Sequence, residues 1–265
     1  IKVIAEIGWN QCGDIELAKK FIDKAKDSNA DYAKFQTWST KRLKPGTWDK
    51  DGRREIYNKA ELTKNEHEEL IQYCSSININ FLSSVFSISD AQLLKKVGCD
   101  IVKIPSFESR NKELIEYCDR NFKTLILSTG TSTFEEIKDS VQRIKKAILY
   151  LMHCVSVYPG TFQEANIPKM NRLKVLSHNV GLSDHIPGVE SAKIAIGEGA
   201  KIIEKHFTID KSLPGRDNKF SILPDELKDL TDFIRHRNEM LIDRGDGYNE
   251  KELDSRLNYT GRFNG

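Results

Sequence analysis

Two lysines sit where charge is hard to place. Lys34 lies between Ala33 and Phe35, and Lys103 between Val102 and Ile104; a charged side chain in apolar company is seldom buried unless paired. Period-two alternation puts Lys34 and Gln36 on one face of their segment, and Lys103 with Pro105 on one face of theirs. If those faces point inward, two ammonium groups need anionic partners. With the hydroxyls of Ser84, Ser106, Ser128 and Ser183 around them they read as a cradle for phosphate plus carboxylate. An internal salt bridge, for instance with Glu6 or Glu204, is the plainer alternative. A second pair, His185 and His206, closes two segments that should be neighbours, so their rings could approach to about 5 Å, the inter-strand spacing. Two imidazoles with a nearby carboxylate can hold a divalent cation and leave positions open for substrate. Either histidine alone reads as a structural or acid–base residue. His153 has apolar neighbours and reads as a satisfied core histidine, and His67, His178 and His236 as surface residues.

The elements that must position these groups alternate regularly. Short β-branched runs predict strands over 2–7, 32–36, 80–86, 101–106, 124–129, 148–154, 180–185 and 201–207. Helical patterns lie between them. One is capped by Asp14, one opens on the capping box Thr63-Lys64-Asn65-Glu66, and others cover 89–97, 111–121, 133–146, 167–176, 189–197 and 224–242. Residues 37–61 read as a long polar loop. Strict alternation implies a parallel sheet, and eight units in a chain of 265 residues fit a closed (β/α)8 TIM barrel of the α/β class, as one domain over 1–265 with a tail at 245–265. An open doubly wound sheet would carry a glycine-rich phosphate turn after the first strand, and Gly8-Trp9-Asn10-Gln11-Cys12-Gly13 does not supply one. In such a barrel the reacting groups sit at the C-terminal ends of strands, where Glu6, Lys34, Ser84, Lys103, Ser128, Ser183, His185 and His206 all fall.

Composition narrows the class. Basic and acidic side chains number 41 and 39, a net charge of +2, which argues against a nucleic-acid or membrane-surface partner. No apolar run approaches the roughly 20 residues of a membrane span. Five cysteines without a C-x-x-C pair fit a reducing compartment, so a cytoplasmic location is expected. The first residue is Ile1 rather than Met, so a few native residues are expected to precede it.

Several short strings then share one register. Ala5-Glu6-Ile7-Gly8 with Asn10 and Gly13-Asp14 resembles the opening of the sialic acid (N-acetylneuraminate) synthases. Lys34-Phe35-Gln36, Phe81-Leu82-Ser83-Ser84, Lys103-Ile104-x-Ser106-x-Glu108 and Leu127-Ser128-Thr129-Gly130 follow in that family's order. So do His153-Cys154 with Tyr158-Pro159, Gly181-Leu182-Ser183-Asp184-His185, Glu204-Lys205-His206-Phe207 and Pro214-Gly215-x-Asp217. The resemblance covers about residues 1–225. It implies a metal-dependent condensation of phosphoenolpyruvate with the open-chain aldehyde of an N-acyl hexosamine-type sugar, giving a nonulosonic 2-keto acid and phosphate. By motif, His185 and His206 would ligate manganese or magnesium. Lys34, Ser84, Lys103, Ser106, Ser128 and Ser183 would hold phosphoenolpyruvate; Gln36, Glu108, Tyr158 and Asp217 would address the sugar. Glu6 or Glu108 would handle the water that adds at C2. The expected partners are these small molecules, with a homodimer as the candidate oligomer.

Three departures from the family pattern stand out. The first loop reads Asn10-Gln11-Cys12-Gly13 in place of a histidine followed by asparagine, Val85 replaces a usual proline, and the sequence ends at Gly265, before the antifreeze-like domain of longer relatives. That reading makes the chain a barrel-only form, in which Arg42, Arg53, Arg54, Arg256 or Arg262 could supply the sugar contact such a domain provides; the plainer reading of each is an ordinary solvated surface charge. The rival readings are a Schiff-base aldolase using Lys34 or Lys103 and a non-catalytic sugar-binding barrel.

Overall fold

The computed structural model describes residues 1–263, so the last two residues of the predicted domain lie outside it. The chain runs β1 (Lys2–Gly8), α1 (Ile15–Asp27), β2 (Tyr32–Thr37), α2 (Arg53–Ala60), α3 (Lys64–Ser76), β3 (Asn80–Val85), α4 (Ile88–Lys96), β4 (Ile101–Ile104), α5 (Lys112–Asn121) and β5 (Thr124–Ser128). It continues with α6 (Phe134–Val141), β6 (Ile148–Cys154), α7 (Ile167–Leu173), β7 (Val180–Asp184), α8 (Glu190–Gly197), β8 (Ile202–His206), α9 (Pro224–Met240) and α10 (Leu253–Asn258). The eight strands close in sequence order into a parallel barrel, β8 pairing back onto β1. The expected fold class holds.

Strand alternation sorts the side chains into two cores. Outward residues such as Val3, Ala5, Phe35, Val102 and Ile203 pack under the helices. Inward, Ile4, Leu82, Ile126, Met152 and Ile202 form a separate apolar plug across the lower barrel, as expected when barrel interiors are filled in layers. Two residues further along each strand the inward positions turn polar. The plug shuts one end, so the polar layers can open only at the C-terminal ends of the strands.

Three local expectations are corrected. Residues 37–61 are not a plain loop: two 3-10 turns and α2 fold there, because Tyr57 stacks on Trp9 at 4.9 Å and meets Trp38 edge-on at 5.9 Å. The helix expected over 133–146 stops at Val141, since a carboxylate oxygen of Asp119 accepts the backbone N–H groups of Lys145, Lys146 and Ala147 at 3.0, 2.8 and 2.9 Å and draws the chain off the helical path. His67, expected at the surface, is buried. Its Nδ1 lies 2.8 Å from the Thr63 carbonyl and its Nε2 2.8 Å from the Thr37 hydroxyl, which assigns the proton to Nδ1. His153 is buried as expected, with Nε2 2.8 Å from the Ala165 carbonyl, but its Nδ1 has no hydrogen-bond partner, so it is not the fully satisfied core histidine expected.

The buried neutral His67 carries a pH signature. Burial holds its pKa below the ordinary 6.5, so below that value the unfolded chain takes up a proton that the folded chain resists. Its stabilising contribution is present above pH 6.5 and is lost as pH falls toward the folded pKa. We expect urea unfolding to show a steeper acid-side loss for the parent than for His67→Gln, the difference reaching at most about 1.4 kcal/mol per pH unit. Equal slopes would refute the assignment.

Candidate active site

Above the apolar plug the inward positions carry a charged ring. Lys34 Nζ lies 2.5 Å from Glu6 Oε2 and 3.5 Å from Glu204 Oε2. Lys103 bonds Glu204 and donates to Ser183 Oγ at 3.3 Å. The Ser183 hydroxyl donates to Glu204 Oε1 at 3.0 Å, and Gln36 Nε2 to Glu6 Oε1 at 2.6 Å. All four charged residues are buried. The internal salt bridge is therefore what the ligand-free barrel contains, with both Glu6 and Glu204 as partners. Burial pushes the Glu6 carboxyl above the ordinary carboxylate range, against the pull of Lys34. Burial acts the same way on Glu204, but there Lys103 and Lys34 prevail and hold it well below that range.

Serine hydroxyls line the β3–β5 side of the ring. Ser84 pairs in register with Lys103. Ser128 Oγ is buried with no hydrogen-bond partner, a polar atom in want of a ligand. Ser106 Oγ accepts the Gly130 N–H at 3.0 Å. A Cβ on Gly130 would lie 2.4 Å from Ser156 Oγ and 2.7 Å from Ser106 Oγ, so only glycine lets this turn close over the hydroxyls.

One layer higher stand the histidines, their ring centroids 5.3 Å apart. Tyr158 covers His185 at 4.0 Å and Phe220 flanks His206 at 5.2 Å. His185 Nδ1 faces the Val155 carbonyl at 2.8 Å, which leaves Nε2 for other work. Burial opposes charge on His185, but the Cys154 thiol, 4.0 Å from Nδ1, and the Val155 carbonyl carry its pKa above 6.5. His206 is pushed far below that value by burial and by His185, so it is neutral. Its Nδ1 is buried without a hydrogen-bond partner, 3.5 Å from Asp217 Oδ2. Burial raises the Asp217 carboxyl to about 6.

Two neutral-capable imidazoles, one with an unsatisfied buried nitrogen, fit a cation held by two protein nitrogens. The carboxylate expected to complete the cluster does not do so. Among the described residues no group of three His, Cys, Asp or Glu side chains comes together with the geometry to hold a metal.

The remaining candidates divide. Tyr158 and Asp217 stand beside the histidines, and Gln36 is spent on Glu6. Glu108 stays half-buried on the 3-10 turn after β4, where Asn111 Nδ2 donates to its Oε2 at 2.8 Å; no bond ties it to the inner ring. The arginines are engaged elsewhere: Arg42 with Asp90, Arg53 with Asp51, Arg54 with Asp49, while Arg256 and Arg262 lie over the rings of Tyr248 and Tyr259. Glu204, which joins both lysines, is the site residue that sequence reasoning left among the salt-bridge partners. Its spacing from Ile202 and His206 was the available signal, since all three must face inward.

The sequence pattern of the NeuB family matches residues 21–246. The chain is 37% identical to the N,N'-diacetyllegionaminic acid synthase of Campylobacter jejuni, over 97% of this chain and 81% of that protein. It is 33% identical to the pseudaminic acid synthase of Helicobacter pylori, over 96% and 79% respectively. The crystal structure of the N-acetylneuraminic acid (sialic acid) synthetase of Leptospira borgpetersenii superposes with a TM-score of 0.86 at 31% identity, covering 99% of this chain and 92% of that one. Among the described residues no helix is long and apolar enough to cross a membrane.

Proposed function

The chain belongs to the NeuB family and is an enzyme among acid synthases, and we propose that it joins phosphoenolpyruvate to the open-chain aldehyde of an N-acyl amino sugar, releasing phosphate and a nonulosonic 2-keto acid. The observation that carries this reading is the inner ring itself: two buried lysines and the unpartnered Ser128 hydroxyl on one side, two histidines on the other. Phosphoenolpyruvate brings a phosphate and a carboxylate. Lys34 and Lys103 are already matched by Glu6 and Glu204, so the ring alone has no surplus positive charge for such an anion. Serine hydroxyls, and the charge of a divalent cation that His185 and His206 would hold, would make up the difference.

That cation would supply Lewis acidity to the aldehyde oxygen. Manganese suits the site better than magnesium, which demands oxygen ligands where this chain offers two nitrogens. The chain's own residues account for the rest. Lys34, Ser84, Lys103, Ser106, Ser128 and Ser183 hold the enol phosphate so that its C3 faces the aldehyde carbon; Tyr158 and Asp217 border the sugar. As the C3–carbon bond forms, C2 becomes electron-poor and takes up a water. Glu6, made more basic by burial and oriented by Lys34 and Gln36, receives the water's proton. The C2–O bond to phosphate then breaks, the C2 hydroxyl gives its proton to the departing phosphate as the carbonyl forms, and the proton held on Glu6 passes to the alkoxide left on the former aldehyde oxygen. Glu108, on the rim, is left to the sugar.

The test is phosphate release from phosphoenolpyruvate with manganese across hexosamines and diamino sugars. Relatives at 37% and 35% identity are named N,N'-diacetyllegionaminic acid synthases, so we expect a di-N-acetylated amino sugar to give the highest kcat/KM. No release with any acceptor would sink the reading. A borohydride-trapped adduct on Lys34 or Lys103 would replace it with Schiff-base chemistry. At Lys34 burial is outweighed by the Glu204 and Glu6 carboxylates, which raise its pKa and disfavour that chemistry, whereas at Lys103 burial prevails and lowers it.

A further inference from the structure

The residue between Glu204 and His206 points the other way. Lys205 faces out of the barrel, yet it is among the most completely buried large side chains of the protein. Its nearest neighbour in register is Asp184 on β7. The ammonium lies 2.8 Å from Asp184 Oδ2 and also donates to the backbone carbonyl of Ile186. Asp184 is itself fixed: its Oδ1 accepts the Ile186 N–H at 3.1 Å, and its Oδ2 accepts the Ser191 hydroxyl from α8. One nitrogen, attached to the residue before His206, thus grips the residue before His185 and the residue after it. A buried ion pair is a poor device for stability, since an apolar pair of the same volume often does as well. It does fix directions.

We propose that Lys205 is a positioning residue for the histidine pair, a strut that sets how the ends of β7 and β8 present His185 and His206 to a divalent cation. This rests on the reading of those histidines as cation ligands. Residues that orient ligands from behind typically change metal affinity by about 10- to 100-fold when removed. Lys205 bonds neither the inner lysines nor the serines of the anion cradle, so phosphoenolpyruvate binding should be indifferent to it.

The test uses the full chain and Mn2+ alone as the probe. Lys205→Met paired with Asp184→Asn removes the strut without stranding a buried carboxylate, and the asparagine can still accept the Ile186 N–H through Oδ1 while its Nδ2 donates to the Ser191 hydroxyl. Titration calorimetry should show Mn2+ affinity falling by about 10- to 100-fold. Phosphoenolpyruvate affinity without metal should stay within about threefold, and the Tm in EDTA should move by only a few degrees. Unchanged Mn2+ affinity in the folded variant overturns the proposal. A parallel loss of Mn2+ affinity, phosphoenolpyruvate affinity and Tm overturns it too, because that pattern marks general structural damage. If the double variant does not fold, Asp184→Asn alone carries the test with the same expected pattern. A parent protein that binds no Mn2+ sinks the cation reading and takes this assignment with it; a parent that binds, beside a variant that binds equally well, sinks only the strut.

Discussion

Replacing Lys103 by methionine should weaken phosphoenolpyruvate binding by about 10- to 150-fold, the worth of one charge-assisted contact to an anion. It should also destabilise the fold. Lys103 is one of two ammonium groups neutralising Glu204, the other being Lys34 at 3.5 Å. Removing one partner of a buried pair costs about 3–5 kcal/mol when the remaining charge has no other counterpart; with Lys34 and the Ser183 hydroxyl still present, the lower end is expected. The two effects can be separated. Adding Glu204→Gln to Lys103→Met relieves the stranded carboxylate, so stability should recover while phosphoenolpyruvate binding stays weak. Urea unfolding reports the first and ligand titration the second. If the single variant binds phosphoenolpyruvate as tightly as the parent, the cradle lies elsewhere; if both properties recover together in the double variant, Lys103 serves only to neutralise Glu204.

That double role explains how far the sequence could be read. Period-two alternation is a strong signal in a closed parallel barrel because every inward position must be accommodated. Lys34, Lys103, His185 and His206 were therefore legible as interior groups from their spacing and apolar neighbours. Pairing was not. Alternation places Glu204 inward as one candidate partner, but nothing local to it says that it reaches both Lys34 on β2 and Lys103 on β4 across the barrel. Lys205 hid for the same reason in reverse: an outward lysine looks solvated until the Asp184 carboxylate and the chain after β7 are known to close over it. His67 sits in the polar run Lys64-Asn65-Glu66-His67, and only the approach of Thr37 from β2 reveals its burial. The α2 helix was obscured by charged residues, its cause being the stacking of Tyr57 on Trp9, an aromatic contact between segments far apart in sequence.

Removing divalent cations should abolish turnover, and adding manganese should restore it. The stronger form of this prediction concerns His206. Its imidazole is neutral, buried and short of one hydrogen bond, and its ring stands 5.3 Å from that of His185. His153 Nδ1 is also buried without a partner, so the pairing with a second imidazole, and not the orphan nitrogen alone, is what sets His206 apart. His206→Ala leaves a single imidazole, and electrostatic assistance of the kind a cation gives a developing alkoxide is worth several kcal/mol. We therefore expect kcat to fall by about 100- to 1,000-fold. The fold should survive, because the apolar plug and the Lys34–Glu6 and Lys103–Glu204 pairs lie below His206. Those pairs also keep the phosphoenolpyruvate cradle intact, so affinity for phosphoenolpyruvate measured without metal should change little. The loss is thus predicted to be selective: Mn2+ affinity and kcat fall together while phosphoenolpyruvate affinity and Tm hold. Undiminished turnover by His206→Ala in EDTA would show that the aldehyde is activated without a cation and that His206 has no part in the chemistry. A variant that loses phosphoenolpyruvate binding as severely as Mn2+ binding would instead place His206 in the anion cradle, and the division of the barrel mouth into an anion side and a cation side would fail.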